Sequence, residues 1–494
     1  MSKKVKAIIW GSVAIVVLAA LIVVLILTQK PDDSLSEMSS FEATLIDLVQ
    51  EETYDLESAH ITNELDDYTI ELVGEDTWRV PELVDYKPLD YLYLETLSQV
   101  ARLSTTEIIE ENASDLSKYG LDSPRLQLDL KYNNGNEYHL TVGALSPDGS
   151  YQYVVKTGER DVFVLASSAL KNCFLARYAY VDKTVIEALE YDDDGKVTTV
   201  INHVEIKRPD LEQPIVMEER TGDDISENDV SQGNLKMTSP VKSLMAETPL
   251  ETYLWGNFGM TASDIAVAKP TEEQLKEYGF DEPTSEFTIR YNETSEMHIR
   301  TGKKVKGPAV TDTPTASTAQ VDCYYLYRDD VDQIYIVPAE NIKWMTVQPK
   351  DIISSAVVLA NILDVASIDV SFGSESHTVV YTLGEDKTSS ADITAKIDGK
   401  DVDFSVARTY MQLLCLTSVQ DINTVPPTVD PSLTVTFHYR SGKQDKIEFF
   451  VMEDRTTIVS LNGNNAYKGR AGFVDKVVKE TANAVANKPV DTDW

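Results

Sequence analysis

Apolar residues fall into three patterns along this chain. The first is an unbroken run from Ala7 to Leu27 (AIIWGSVAIVVLAALIVVLIL), with no charged residue in its 21 positions. At about 1.5 Å rise per residue, such a run spans a hydrocarbon core of roughly 30 Å. The second is strict alternation. From Pro124 the chain continues through Leu128, Leu130 and Tyr132, then Tyr138, Leu140 and Val142, ending at Gly143. From Pro283 it continues in the same register through Phe287, Ile289 and Tyr291, then Met297, Ile299 and Thr301, ending at Gly302. Alternation on both sides of a short polar turn predicts a β-hairpin with one buried face. The turns agree, because Asn133-Asn134-Gly135 and Ser441-Gly442 tolerate positive φ. The third pattern is helical, with apolar positions three and four apart.

Taken together, the patterns repeat. Tyr-Gly-Leu-Asp-Ser-Pro at 119–124 returns as Tyr-Gly-Phe-Asp-Glu-Pro at 278–283, and a weaker third copy begins at Asp430-Pro431 with Val435, Phe437, Tyr439, Ile447 and Phe449. A second β pair follows each hairpin, at Tyr151–Leu165, Cys323–Val337 and Thr457–Tyr467. In the middle copy the intervening loop, Lys303–Asp322, is longer and rich in Thr, Ala and Pro. A helical segment precedes each hairpin. Leu89, Leu92, Thr96, Leu97, Val100 and Leu103 mark the first, and Val406, Tyr410, Leu413, Leu414 and Thr417 the third. The second is broken by Pro249, with Leu244, Met245, Leu254 and Phe258 as its buried positions. Further strand pairs are expected over Tyr68–Val80, Val197–Glu219 and Ile368–Ile397.

Strands and helices segregated in this way predict an α+β fold, a single N-terminal transmembrane helix followed by three repeated modules of antiparallel sheet covered by helices. The expected boundaries are a cytoplasmic tip over 1–6, the membrane helix over 7–28 and a stalk over 29–54 with a short helix at Phe41–Gln50. Three repeat modules follow over 55–187, 188–358 and 359–486, with a tail over 487–494. Lys3, Lys4 and Lys6 precede the apolar run, so the positive-inside rule places the N-terminus in the cytoplasm and the bulk of the chain outside. A cleaved signal peptide fits less well, since its apolar core is only about 7–15 residues long and ends in a small-x-small site.

Charge narrows the partners. The 494 residues hold 44 basic and 81 acidic side chains, a formal charge of −37. Removing residues 1–30 takes away four lysines and no acids, leaving 40 basic against 81 acidic residues, net −41. No nucleic-acid partner is expected, because a chain so acidic has nothing with which to displace counterions from a polyphosphate. The same charge keeps the exterior part off anionic lipid.

The Tyr-Gly-Leu-Asp-x-Pro block, the hairpin ending in Gly, and the Tyr-x-Tyr-Val-Val and Val-Phe-Val-Leu strands resemble an uncharacterised bacterial family, domain of unknown function 4340. The matching pieces are Asp115–Leu130, Tyr138–Gly143, Tyr151–Leu165, Glu273–Ile289 and Tyr324–Val337. The resemblance covers most of residues 55–360 and only loosely the third module, where Pro427-Thr428-Val429-Asp430 stands in place of the block. It implies a single-pass envelope protein associated with gliding-motility-type ABC transporter components, and it brings no catalytic residues.

Candidate chemistry is sparse. His139 and His298 occupy equivalent positions, fifteen residues after their prolines, and are expected to face solvent without a second metal ligand beside them. Asp192-Asp193-Asp194-Gly195 is a weak calcium candidate. It lacks EF-hand spacing and reads better as a hairpin turn. Tyr119, Gly120, Asp122 and Pro124, and their counterparts Tyr278, Gly279, Asp281 and Pro283, are expected to be structural, as a short helical turn, its cap and the entry to a strand. Cys173, Cys323 and Cys415 read as small buried hydrophobes, and no disulfide framework or cofactor is expected. Clustered tyrosines, such as Tyr324, Tyr325 and Tyr327, suit either an interface or half-buried strands. The resulting expectation is an extracytoplasmic accessory or binding protein in an ABC-transporter-associated envelope assembly, without catalysis of its own. The alternatives are a hydrolase of envelope polymers using paired carboxylates and a passive cell-envelope scaffold.

Overall fold

The computed structural model describes residues 45–74, 77–221, 235–245, 251–292, 294–309, 320–354, 357–358, 360–386, 388–390, 392–417 and 419–494. The apolar run Ala7–Leu27 lies outside these residues, as do Pro249 and residues 310–319 of the Thr/Ala/Pro-rich loop. Among the described residues no helix is long and apolar enough to cross a membrane. Residues 45–72 and 94–175 form one compact unit, and residues 73–93 and 176–494 the other.

Three antiparallel sheets carry the fold, and they share one strand order. The first, one strand shorter than the other two, runs Thr77–Arg79, Asp67–Val73, Leu56–Asn63, Leu126–Tyr132, Glu137–Leu145, Tyr151–Lys156, Val162–Ala166, Ile108–Glu110. The second runs Ser243–Leu244, Leu235–Ser239, Ile215–Glu219, Ile201–Lys207, Ser285–Tyr291, Ser295–Pro308, Gln320–Arg328, Gln333–Pro338, Asp264–Ala268. The third runs Lys400–Val402, Thr394–Ile397, Glu375–Thr382, Val365–Phe372, Leu433–Tyr439, Gln444–Val451, Thr457–Leu461, Asn464–Gly469, Val419–Ile422. In each sheet two meanders join through their first strands, and a strand from the connection between them closes the far edge.

The joining strand carries the same irregularity three times. Leu56 stands opposite Tyr132, Ile201 opposite Tyr291 and Val365 opposite Tyr439, and each register then slips by one residue. The slip is a bulge that leaves two residues facing outward together. It turns the buried set into Leu56, Ala59 and Ile61; Ile201, Val204 and Ile206; and Val365, Ile368 and Val370. The same backbone bond follows each tyrosine: Asn133 N donates to Asp55 O, Asn292 N to Val200 O and Arg440 N to Asp364 O, at 2.7, 2.8 and 2.7 Å.

The helices bury the stripes that their spacing indicates. In Asp90–Ala101 these are Leu92, Thr96, Leu97 and Val100. Leu103 is buried too, but in the strand Arg102–Thr105, and Leu89 is half-buried. In Phe404–Cys415 the buried stripe is Val406, Tyr410, Leu413 and Leu414. A closing helix, Phe473–Val485, buries Phe473, Val477, Thr481 and Ala484, and the Tyr410 hydroxyl lies 2.6 Å from that of Thr481.

Three local expectations are corrected. The end of the stretch read as a helix at Phe41–Gln50 is a strand, Ile46–Gln50, paired with Arg102–Thr105. A bulge there puts Leu48 and Val49 inward together, a spacing that mimics a helix turn. Leu244 and Met245 are extended, in the strand Ser243–Leu244 and in a bridge from Met245 to Ile353. Leu254 is buried, as expected, and Phe258 half-buried, the two flanking the 3₁₀ turn Trp255–Asn257. The hairpin expected to stop at Gly302 continues to Pro308, so Lys303–Pro308 is strand and not loop.

Candidate functional site

The two Tyr-Gly blocks occupy equivalent places. Ser117–Tyr119 is one 3₁₀ turn, capped by Gly120 at φ 69°. Glu272–Glu277 is a short helix begun by a Thr271/Gln274 capping box, and Gly279 follows it at φ 89°. Pro124 and Pro283 each stand two residues before a strand, and Asp122 and Asp281 are exposed. The turn lies against the end of the hairpin. A Cβ on Gly143 would sit 2.2 Å from the Tyr119 carbonyl oxygen, and one on Gly302 would sit 2.3 Å from that of Tyr278. Only glycine permits so close a backbone approach.

What the turns deliver is a small second core on the sheet face opposite the main one. Tyr119 and Leu121 pack with Ala113, Val155 and Val162, and Tyr153 closes the cluster with its ring 4.9 Å from that of Tyr119. Phe280 packs with Tyr327 and Ile334, and Tyr278 meets Tyr325 edge-on at 4.6 Å. The neighbouring residues Val154 and Leu326 point to the other face and are fully buried there. In the third sheet the block is missing, and Phe450 occupies the position of Gly143 and Gly302, as the registers Leu126–Val142, Ser285–Thr301 and Leu433–Phe449 show. Block and glycine are present together or absent together. The clustered tyrosines therefore serve packing in these two sheets.

His139 and His298 sit on outward strand faces beside carboxylates. His139 Nδ1 lies 2.7 Å from Asp129; His298 Nδ1 lies 2.7 Å from Asp329 and its Nε2 3.1 Å from Glu286. Burial raises the Asp329 carboxyl, but bonds from His298 and Arg300 outweigh it and hold the group below its ordinary value. Asp192, Asp193 and Asp194 are exposed in a turn closed by Gly195 at φ 76°. Asp192 is occupied as a turn acceptor for the backbone N–H groups of Asp194 and Lys196. Among the described residues no group of three or more His, Cys, Asp or Glu side chains is placed to hold a metal ion. Cys173 and Cys323 are buried and Cys415 is half-buried; burial pushes the Cys173 thiol up to about 12 and that of Cys415 to about 11.

The sequence gives no sign of the concavity that the fold builds in the second unit. A groove of about 350 Å³ runs between the loop after Ile201–Lys207, the short helix Pro349–Ile352 and the edge strand Val419–Ile422. Its charged residues are Asp210, Glu212, Lys350 and Asp421. Asp210 is taken up by the buried Arg208 guanidinium at 2.9 and 3.0 Å and by Gln348 at 3.2 Å, and these bonds hold its carboxyl below the ordinary value. Arg208 also donates to the Trp344 carbonyl at 2.6 Å, which fixes the loop to the body of the sheet. Asp421 lies 3.7 Å from Lys468. Glu212 and Lys350 are exposed and have no ion-pair partner among the described residues.

The family model described as domain of unknown function (DUF4340) matches residues 78–254. The match supports the DUF4340 resemblance over these residues, about a third of the chain. No curated protein and no solved structure matches the chain. The DUF4340 stretch takes in the first Tyr-Gly block with its satellite core and the opening strands of the second sheet. The second block at 278–283 and the third sheet lie beyond it, although they follow the same strand order.

Proposed function

We propose that the protein is a membrane-anchored extracytoplasmic binding protein, an accessory component of an envelope assembly built around an ABC transporter, with no catalysis of its own. The observation that carries this reading is the pairing of an uncharged run, Ala7–Leu27, with three sheets built to one strand order behind it. Repetition multiplies surface, and an anchor confines the search for a partner to the membrane plane, which raises effective concentration. The motif residues support the same reading, because Tyr119–Pro124 and Tyr278–Pro283 are used to close satellite cores. The transporter as partner comes from the family resemblance.

Full-length protein with a terminal affinity tag, extracted from its own membranes in mild detergent and captured, tests this. Transporter subunits in stoichiometric amount are the expected result. Capture of the chain alone, or its recovery in the soluble fraction without detergent, overturns the reading.

A further inference from the structure

We infer that the groove between the second and third sheets binds a short extended peptide segment of the partner, paired along the outer edge of Val419–Ile422. The inference rests on the binding role proposed above and names the chemistry of that partner.

Three observations converge. Val419–Ile422 ends the strand order of the third sheet and, among the described residues, pairs with Asn464–Gly469 alone. A strand edge offers main-chain donors and acceptors at the spacing of an extended chain, the means by which peptides add to sheets. The strand pairs through a register shift between Val419 and Asp421, and its end is fixed. Asn423, which follows it, donates its side-chain amide to Val425 O at 2.6 Å and Asn465 O at 2.8 Å, and its N–H to Ala466 O at 2.8 Å. The groove has the size of a small-ligand pocket, about 350 Å³, room for a few residues of chain but not for a folded domain.

Its lining matches peptide chemistry. Leu211, Pro240, Pro349 and Ile422 supply apolar wall, and Gln213 and Thr424 supply side-chain donors and acceptors. With Asp210 neutralised by Arg208 and Asp421 facing Lys468, the charges left over are one carboxylate, Glu212, and one ammonium, Lys350. A simple anion or cation would satisfy one and be repelled by the other. An extended segment with a basic and an acidic side chain satisfies both, and its backbone uses the edge.

The test uses full-length protein in detergent and fluorescein-labelled peptides of seven residues, read by fluorescence anisotropy. The probe alternates valine with one lysine and one glutamate. Its counterparts replace both charged residues by alanine, or N-methylate alternate backbone amides. Saturable binding of the probe is expected, at least tenfold weaker for the alanine peptide and lost for the N-methylated one. Thr424→Trp, which fills the groove, and Glu212→Gln with Lys350→Gln should weaken probe binding at least tenfold, and Asp192→Asn with Asp193→Asn should leave it unchanged. Failure to saturate at millimolar peptide, equal binding of all three peptides, or equal loss in the Asp192/Asp193 control overturns the inference. The partner capture separates the two levels. A partner still captured by the Thr424→Trp protein removes the groove and leaves the binding role, whereas no partner captured by the parent protein removes the role itself.

Discussion

Gly143→Ala probes the joint between the Tyr-Gly block and the hairpin. The added Cβ would stand 2.2 Å from the Tyr119 carbonyl oxygen and 3.0 Å from the Gly120 carbonyl carbon, more than an ångström inside ordinary contact. Both obstacles are backbone, one side belonging to a capped turn and the other to an interior strand, so neither can swing away. Relief must come from separating the turn from the sheet, which loosens the cluster of Tyr119, Leu121, Val155 and Val162. Overpacking of this kind costs about 1–3 kcal/mol, and rigid partners place it near the upper end. Gly149→Ala is the matched control. Its φ is 75°, with nothing within 4 Å of the new Cβ, so it carries only the left-handed strain of about 1 kcal/mol. The difference, about 2 kcal/mol, corresponds to roughly thirtyfold faster exchange of locally protected amides. Hydrogen exchange by mass spectrometry, read over Leu126–Tyr132 and Glu137–Leu145, measures it. Exchange in Gly143→Ala within threefold of that in Gly149→Ala would refute the close-approach account. Gly302→Ala should repeat the effect in the second sheet, where the Tyr278 carbonyl lies 2.3 Å from the new atom.

Three further outcomes are expected. Asp322 is held down to about 2 by Lys304 and Lys306, against an ordinary value of 3.8. A depressed carboxylate stabilises the fold above its unfolded value and loses that contribution as pH falls, so protection of Gln320–Arg328 should decline between pH 3.8 and about 2, and Asp322→Asn should abolish this limb. Trp494 stacks on Phe473 at 5.7 Å, with the Arg470 and Lys476 cations each 4.9 Å from its ring. Trp494→Ala should cost about 1–2 kcal/mol and raise exchange in Phe473–Val485 but not in the first sheet; equal exchange in both proteins would count against the stacking. Cys173 is fully buried with its thiol pushed up to about 12, so alkylation by iodoacetamide at pH 8 should spare it until denaturant unfolds the first unit; rapid native labelling would contradict its placement.

How much could be read from the sequence depended on whether each element kept its period. The first strands of two hairpins, Leu126–Tyr132 and Leu433–Tyr439, alternate cleanly, and their pairing with the second strands follows the sequence pattern residue for residue. The strand Leu56–Asn63 carries no strand signal in the sequence, because its bulge replaces alternation by the buried set Leu56, Ala59, Ile61. The same bulge in Ile201–Lys207 and Val365–Phe372 blurred the starts of those strands. Ile46–Gln50 resembles a helix turn for the same reason, and its partner Arg102–Thr105 lies about fifty residues away, beyond any local signal. The groove was invisible for another reason. Its walls come from residues 210–213, 240, 348–350 and 421–424, which meet only because two sheets pack within one unit.

The Tyr-Gly block shows the reverse case, in which sequence and structure explain each other. Read alone, a hexapeptide repeated twice and missing once could mark a ligand site kept in two modules and lost in the third. The geometry ties it to a second position instead. Tyr119 and Tyr278 present their carbonyls to Gly143 and Gly302, and where the block is absent the facing residue is Phe450, which is buried. A ligand site would have no cause to couple the block to a glycine about two dozen residues downstream on the hairpin's second strand. A turn docked against that strand requires it. Phe450→Gly should therefore not restore a hidden fit in the third sheet. It should leave a cavity where a ring now packs and cost about 3–5 kcal/mol, the range for deleting a buried aromatic side chain. A loss under 1 kcal/mol, measured by urea unfolding with hydrogen exchange over Gln444–Val451, would mean that glycine and phenylalanine are interchangeable there and that the coupling is accidental.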